Sequence, residues 1–382
     1  MSETTRGGAC ARWVSHYQEI RSGGKEVTRR KARWALRRLL PYMPKALMDR
    51  RRVRTAYLPN RAPVSVRDVP HLEGLVVFTP VWGPMVELFD RCLMRSLFSE
   101  NNLPALISRG LLVELRVYTR QSDVQRIEAC LKRHADTLDA HYRARLSFNI
   151  TPYIHDMDLT ARSLGDCLSK CNADQGFLMA LPDFFFGDST VCNLVGAGMG
   201  RDSCLAAVHM RVNDDHFGEL IKERQSAISN EELVSLALVS AHQNWSESFA
   251  DRPNNLCHVS GVSVQPLPNG ILLVTHHLPT VFFLRVRDSD VEYFRRSDYH
   301  AWDHEWPSIL ISERRYKFIG SSDAVFVVEL TGRNSHLITF SGEHANDRYL
   351  GSHQLLHHSV NEAFMAVLRP SGFPKEMRSI AY

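Results

Sequence analysis

Between residues 74 and 181 the chain switches back and forth between strand-length apolar runs and segments of helical period, a rhythm that few folds accommodate. Gly74-Leu75-Val76-Val77-Phe78-Thr79 reads as a buried strand that ends at Pro80-Val81-Trp82-Gly83. Met85, Leu88, Phe89, Cys92 and Leu93 then recur at helical spacing. Residues 111–119 form a second strand pattern, and Ser122 or Asp123 stands where it would cap a helix over 124–134. Residues 145–150 read as a third strand, 158–171 as a helix and 176–181 as a fourth strand. Strands alternating with helices of about 10–15 residues predict an α/β fold with a doubly wound, mostly parallel sheet. Such sheets bind ligands outside the carboxyl ends of their strands. Three predicted strand ends (Thr79 to Gly83, Thr119 to Asp123, Pro182 to Asp188) are therefore expected to line one cleft.

Beyond that stretch the texture is mixed α+β. Residues 230–244 predict a helix with Asn230 as cap and Glu231 and Glu232 in its first turn. Residues 259–285 alternate around Asn269-Gly270, a strong hairpin signal, and 324–330 reads as a strand. The first 60 residues differ again: residues 6–61 carry 16 Lys or Arg against three acids, a local balance of +13 in a chain of net +4. Arg29 to Leu40 has helical periodicity, with Trp34 and Leu36 among arginines. Three regions are thus expected: a basic helical N-terminal extension over 1–70, a ligand-binding α/β half over 71–215, and a mixed half over 216–382. The basic stretch suits an anionic membrane surface, a DNA backbone, or the protein's own body.

Several classes are excluded or disfavoured. No apolar run approaches the roughly 20 residues of a membrane-spanning helix, and the polar N-terminus lacks a signal-peptide core, so a cytoplasmic location is expected. The eight cysteines contain no CxxC pair, against a zinc ribbon or a disulfide scaffold. Cys167 and Cys171, four apart on a predicted helix, read as ordinary buried thiols. No G-x-S-x-G elbow, Walker loop or kinase signature is present.

The candidate chemistry centres on Leu181-Pro182-Asp183-Phe184-Phe185-Phe186-Gly187-Asp188. A carboxylate directly after a buried strand can hold Mg²⁺ or Mn²⁺ against a diphosphate, or bind sugar hydroxyls without metal. Asp188 can equally serve as a helix cap. Gly196-Ala197-Gly198-Met199-Gly200 follows helical rather than strand texture and misses the dinucleotide-loop spacing, so it reads as a helix stop. Arg211, at the end of a strand pattern, suits a phosphate or a salt bridge with Asp214 or Asp215. His276, His277, Asp288 and Asp290 close two further strand-like segments. His300 and His304 share one helical face without the zinc-protease pattern, and His357-His358 is one pair among eighteen histidines.

Taken together, Phe78 to Gly83, Asn102 to Leu106, Val117 to Thr119, Pro182-Asp183 with Gly187-Asp188, Arg211, His277-Leu278, Asp288-Ser289-Asp290 and Ser322-Asp323 resemble a bacterial and phage group of glycosyltransferase-like proteins. The resemblance spans about residues 74–332. Where the group's last motif reads Asp-Ser-Asp, this chain has Ser321-Ser322-Asp323. The resemblance implies the sugar-nucleotide fold called GT-A, whose fourth strand commonly ends in an Asp-x-Asp motif that binds the donor diphosphate through a divalent metal. Here the two acids are five apart. The implied function is transfer of a sugar from a nucleotide-sugar donor to a polysaccharide, lipid or modified nucleobase. The alternative is a non-catalytic nucleic-acid-binding or virion-associated protein on the same fold. Asp183 is the expected donor-side catalytic residue, with Asp288, Asp290 and His277 on the acceptor side. Thr79, Trp82, Thr119, Asp123 and Arg211 are the expected donor contacts, and Asp183 with Asp188 the Mg²⁺ or Mn²⁺ ligands.

Overall fold

β1 (Gly74–Pro80) is buried at all seven positions, which explains its unbroken apolar sequence: both faces of the strand are covered. Leu75 and Val77 enter one hydrophobic core, while Val76 and Phe78 enter another on the opposite face. The second core stacks Phe78 on Phe177 and tilts it against Tyr118, with centroids 5.9 and 5.7 Å apart. The computed structural model describes residues 72–153, 159–198, 204–224, 227–242, 262–267, 270–275, 279–296, 305–332 and 364–369. The basic stretch 6–61, His276, His277, His300, His304, His357 and His358 lie outside the described residues.

β1 pairs in parallel with β2 (Leu112–Arg120) on one side and β4 (Gln175–Met179) on the other. β3 (Leu146–Tyr153) extends the sheet beyond β2. On the far side β10 (Thr280–Arg285) runs antiparallel between β4 and β6 (Cys204–Ala207), and β11 (Tyr316–Ile319) pairs in parallel with β6. The order is β11-β6-β10-β4-β1-β2-β3. The fold is therefore mixed α/β with a largely parallel central sheet. Strands from before and after residue 215 share this sheet.

The sheet is covered by α1, a helix built of α-helical Met85–Leu88, π-helical Phe89–Met94 and α-helical Arg95–Leu97. Then come α2 (Leu103–Ser108), α3 (Val124–Ala135), α4 (Leu159–Ser169), α5 (Thr190–Ala197) and α6 (Asp288–Arg296). No described helix is long and apolar enough to cross a membrane. α5 ends at Ala197 with Gly198 as its C-cap, as the helix-stop reading expects, and the next described strand begins at Cys204.

Two strands overrun the sheet's carboxyl edge. β4 leads into β5 (Phe184–Phe186) and β6 into β7 (His209–Asn213), and both pair with β12 (Val327–Thr331) in a small sheet of order β5-β12-β7. Sequence periodicity merges β6 and β7 into one strand; the structure divides them at Val208. The Phe triplet is core: Phe184 and Phe186 pack into one cluster and Phe185 into another, as a period of two requires. The hairpin at Asn269-Gly270 is formed by β8 (Val262–Leu267) and β9 (Gly270–Thr275), with Leu267 opposite Gly270. The helix at 230 is capped by Ser229, whose side chain accepts the Glu232 N–H, and not by Asn230. Asn230 Oδ1 instead accepts the Thr190 hydroxyl at 2.8 Å. It sits so near Gly187 that a Cβ there would lie 1.8 Å away, so no larger residue fits.

Asn102 joins these parts. Fully buried, it donates Nδ2 to Ser96 O (2.9 Å) and Gly187 O (3.1 Å), and its Oδ1 accepts the Val191 N–H (2.9 Å). It thus caps α5 from a distant loop, a role that Ser189, at φ +70°, does not fill. Asn102→Ala takes the acceptor from the buried Val191 N–H, while Ser96 O and Gly187 O keep the Ser99 and Thr190 donors, and should cost about 1–3 kcal/mol in urea unfolding.

Candidate active site

The chain runs β1, β2, β3 outward and then returns to place β4 on the other side of β1. In doubly wound sheets such a reversal is where a crevice forms, which points to the carboxyl ends of β1 and β4. Thr79 is the penultimate residue of β1 and Thr119 of β2, Thr79 itself pairing with Val117, and Asp183 follows β4. Each contributes a buried polar atom (Thr79 Oγ1, Thr119 Oγ1, Asp183 Oδ1) with no hydrogen-bond partner in the protein. Buried polar groups are nearly always bonded, so three unpaired ones close to adjacent strand ends set this edge of the sheet apart as the candidate site.

The lip of the crevice is held by Asp123. Its Oδ2 accepts the Gly83 N–H at 2.7 Å, forty residues away, where Gly83 adopts φ +53°. The carboxylate that sequence placed as a helix cap or donor contact therefore braces the loop carrying Trp82. Asp123 makes no side-chain cap bond to α3.

Around Asp183 the small sheet adds a network of charged groups. Register sets Arg211 beside Glu329 in the parallel pair β7–β12, and Glu329 opposite Phe184 in the antiparallel pair β12–β5. Arg211 Nε lies 3.1 Å from the Glu329 carboxylate, and His209 Nε2 lies 2.6 Å from it. His209 Nδ1 is 3.1 Å from the hydroxyl of Thr280, the first residue of β10. Burial opposes the Glu329 charge, but the hydrogen bond and charge of His209, with the Arg211 guanidinium, outweigh it and hold Glu329 down at about 2. Asp183 moves the other way. Burial, reinforced by the Glu329 charge and offset in part by its own backbone and Arg211, raises it to about 7. One acid is thus fixed as an anion, while its neighbour shares a proton with solvent near neutral pH. Asp183 is half-buried as a residue, with Oδ1 itself shielded from solvent.

His209 and Glu329 were not singled out by sequence reasoning. The signal for Glu329 was a lone acid in the apolar run Val325-Phe326-Val327-Val328-Glu329-Leu330. Arg211 pairs with Glu329; Asp214, its expected partner, pairs with Arg91.

Two other acids are committed elsewhere. Asp188 Oδ1 accepts from the Ser99 hydroxyl (3.0 Å) and the Asn101 N–H (3.2 Å), and Oδ2 accepts from Asn101 Nδ2 (2.6 Å). It therefore staples the 99–101 loop rather than capping α5. Both Asp188 oxygens are thus engaged by residues 99 and 101. Asp290 is almost fully buried and receives Arg315 bidentately (2.9 and 2.8 Å), Trp306 Nε1 (3.2 Å) and the Arg287 N–H (2.9 Å). Its carboxylate is saturated by structural donors. Because β10 is antiparallel, Asp288 and Asp290 follow its end at the opposite edge of the sheet from Asp183. There Asp288, exposed, lines an open cleft of about 910 Å³ with Cys171, Arg287 and Arg295.

No family model and no curated protein matches the chain. Among solved structures, 4-diphosphocytidyl-2C-methyl-D-erythritol synthase from Anaerococcus prevotii matches 37% of this chain at 9% identity and a TM-score of 0.25. The chain spans 61% of that protein's length. A protein described as a glucose-1-phosphate thymidylyltransferase from Bacillus anthracis, in complex with a sucrose, matches 64% of this chain and 86% of its own at 9% identity and 0.31. A UDP-glucose pyrophosphorylase complexed with UDP-glucose matches 68% and 91% at 8% identity and 0.30. Likeness at this level assigns no family, and the functional reading rests on the site.

Asp290→Ala would strand the buried Arg315 guanidinium. It should cost about 3–5 kcal/mol of stability, read by denaturant unfolding.

Proposed function

We propose that this protein is a nucleotide-sugar-dependent transferase of the glycosyltransferase type, with its donor in the β1–β4 crevice and Asp183 as the proton-transfer group. One observation carries the reading: a half-buried carboxyl raised to about 7 stands at the end of the strand beside the sheet's reversal. A group titrating near the working pH transfers protons in both directions with little driving-force penalty. Thr79 and Thr119 lie buried beneath this site with unpaired hydroxyls, and Trp82, partly exposed at the same edge, offers an aromatic surface to the donor's base. Glu329 takes Arg211 through Nε, the inner nitrogen, which leaves the outer fork of a 37% exposed guanidinium to meet the donor diphosphate.

In this reading the diphosphate leaves as charge builds on its oxygens, and Arg211 stabilises that charge. Ionised Asp183 accepts the proton of the acceptor hydroxyl or amine as the glycosidic bond forms. Glu329, locked as an anion, adds to the effect of burial in making Asp183 a stronger base and keeps Arg211 oriented. The acceptor belongs to the polysaccharide, lipid or modified-nucleobase class. No step is routed through a metal.

A thermal-shift screen against UDP-, GDP-, CMP- and dTDP-sugars, with and without Mn²⁺, should give at least one donor that raises Tm. Silence under all conditions sinks the proposal. With the donor known, kcat should rise with pH through about 7, and Asp183→Asn should lower it on the order of 10²–10⁴-fold with little change in donor affinity.

Stability should move oppositely to activity. A carboxyl raised in the folded state contributes stability in full below its unfolded value of 3.8 and loses it as pH rises through about 7. Asp183→Asn cannot ionise, so relative to wild type it should become more stable between pH 4 and pH 8, by an amount on the order of a few kcal/mol. Matched melts at the two pH values read this directly.

A further inference from the structure

α1 and α3 bring together a cluster that the proposed reaction does not use. Asp90 lies in the π-helical stretch Phe89–Met94, and Cys130 and His134 lie four apart on α3, on one face. One oxygen is the meeting point. Cys130 Sγ donates to Asp90 Oδ1 at 3.2 Å, and His134 Nε2 lies 2.9 Å from the same atom. The carboxylate oxygen, thiol and imidazole nitrogen all lie within 4.8 Å of one another, and among the described residues no other such group of three occurs. Asp90 Oδ2 is held separately by Arg133.

We propose that Asp90 Oδ1, Cys130 Sγ and His134 Nε2 bind one Zn²⁺-class divalent ion, with water completing a tetrahedron. The donor set selects the metal. A thiolate with an imidazole suits Zn²⁺ or Co²⁺, whereas Mg²⁺ and Mn²⁺ prefer oxygen ligands. Charge balances at the site: a thiolate and a carboxylate neutralise a divalent cation, and His134 enters neutral. Binding converts the Cys130 thiol to a thiolate and releases its proton to solvent, so the ion displaces the hydrogen bonds that now join the three groups. Burial and the Asp90 carboxylate push the free thiol's pKa up, so the site requires the metal itself to draw off that proton. Arg133 remains on the outer oxygen of Asp90. The Phe98 ring, tilted against His134 at 5.7 Å between centroids, keeps the imidazole turned toward the cluster.

The position gives the ion a task. α1 follows the Trp82-Gly83 lip of the crevice, and α3 follows Asp123, which braces that lip. Tying α1 to α3 fixes the spacing of the two loops. The extra residue per turn in the π-helical stretch is the kind of local distortion that recurs at functional positions.

The full chain, stripped with chelator and kept reduced with a non-thiol reductant, is titrated with Zn²⁺ and with Co²⁺. One equivalent of Co²⁺ should give a thiolate charge-transfer band in the near ultraviolet and visible bands of tetrahedral intensity, and Zn²⁺ should raise Tm by a few degrees. Cys130→Ser should abolish the charge-transfer band. The isosteric Asp90→Asn, which keeps the helix contact, should weaken binding by roughly tenfold or more. A Cys167→Ser/Cys171→Ser double variant should keep the band. A wild-type protein with no stoichiometric thiolate band, or a band that survives Cys130→Ser, overturns the proposal. None of these readouts depends on a sugar donor, so the metal site and the transferase reading stand or fall separately.

Discussion

Burial of β1 on both faces is the constraint from which the rest of the structure follows. A strand apolar at every position can be satisfied only inside a sheet with cover on each side, and parallel neighbours require long crossovers that supply that cover. Once β2 and β3 occupy one side, the fourth strand must take the other, and the chain's change of direction leaves a crevice at the carboxyl edge. Thr79, Thr119 and Asp183 lie at or just beyond the carboxyl ends of the strands around that reversal, the two threonines fully buried. Their chemistry is inherited from the topology.

The small sheet β5-β12-β7 converts that position into a tuned one. Burial is the larger cause of the raised Asp183 pKa, and the small sheet adds to it. With it, Glu329 arrives across the sheet as a second carboxylate, and His209 and Arg211 hold that carboxylate ionised. Two acids in one low-dielectric region resist being charged together, so the one held by His209 and Arg211 keeps its charge, and burial leaves the other with its proton. The same logic of opposed environments recurs in acid–base enzymes generally. Here it is produced by pairing a strand of one half of the sequence with strands of the other.

Acids that look equivalent along the chain are given unlike work by their partners. Asp123 braces a loop through Gly83, Asp188 staples residues 99–101, and Asp290 neutralises a buried arginine. Among the described acids, only Asp183 is left with a shielded oxygen that no group in the described structure satisfies.

Local periodicity and turn chemistry are properties of neighbouring residues, and the sequence therefore determined what depends on them. That includes the β1–β4 strands, the helices between them, the hairpin at Gly270, the helix stop at Gly198, and the placing of Asp183 at a strand end. Tertiary structure decided the rest, because the deciding contacts join residues far apart in the chain. Asp188 meets Asn101 from 87 positions away, and Arg211 meets Glu329 from 118. The direction of β10 also leaves no trace in an apolar run, which reads the same whichever way it is threaded. That direction alone sends Asp288 and Asp290 to the far edge, away from Asp183, and brings Thr280 and His209 to the near one.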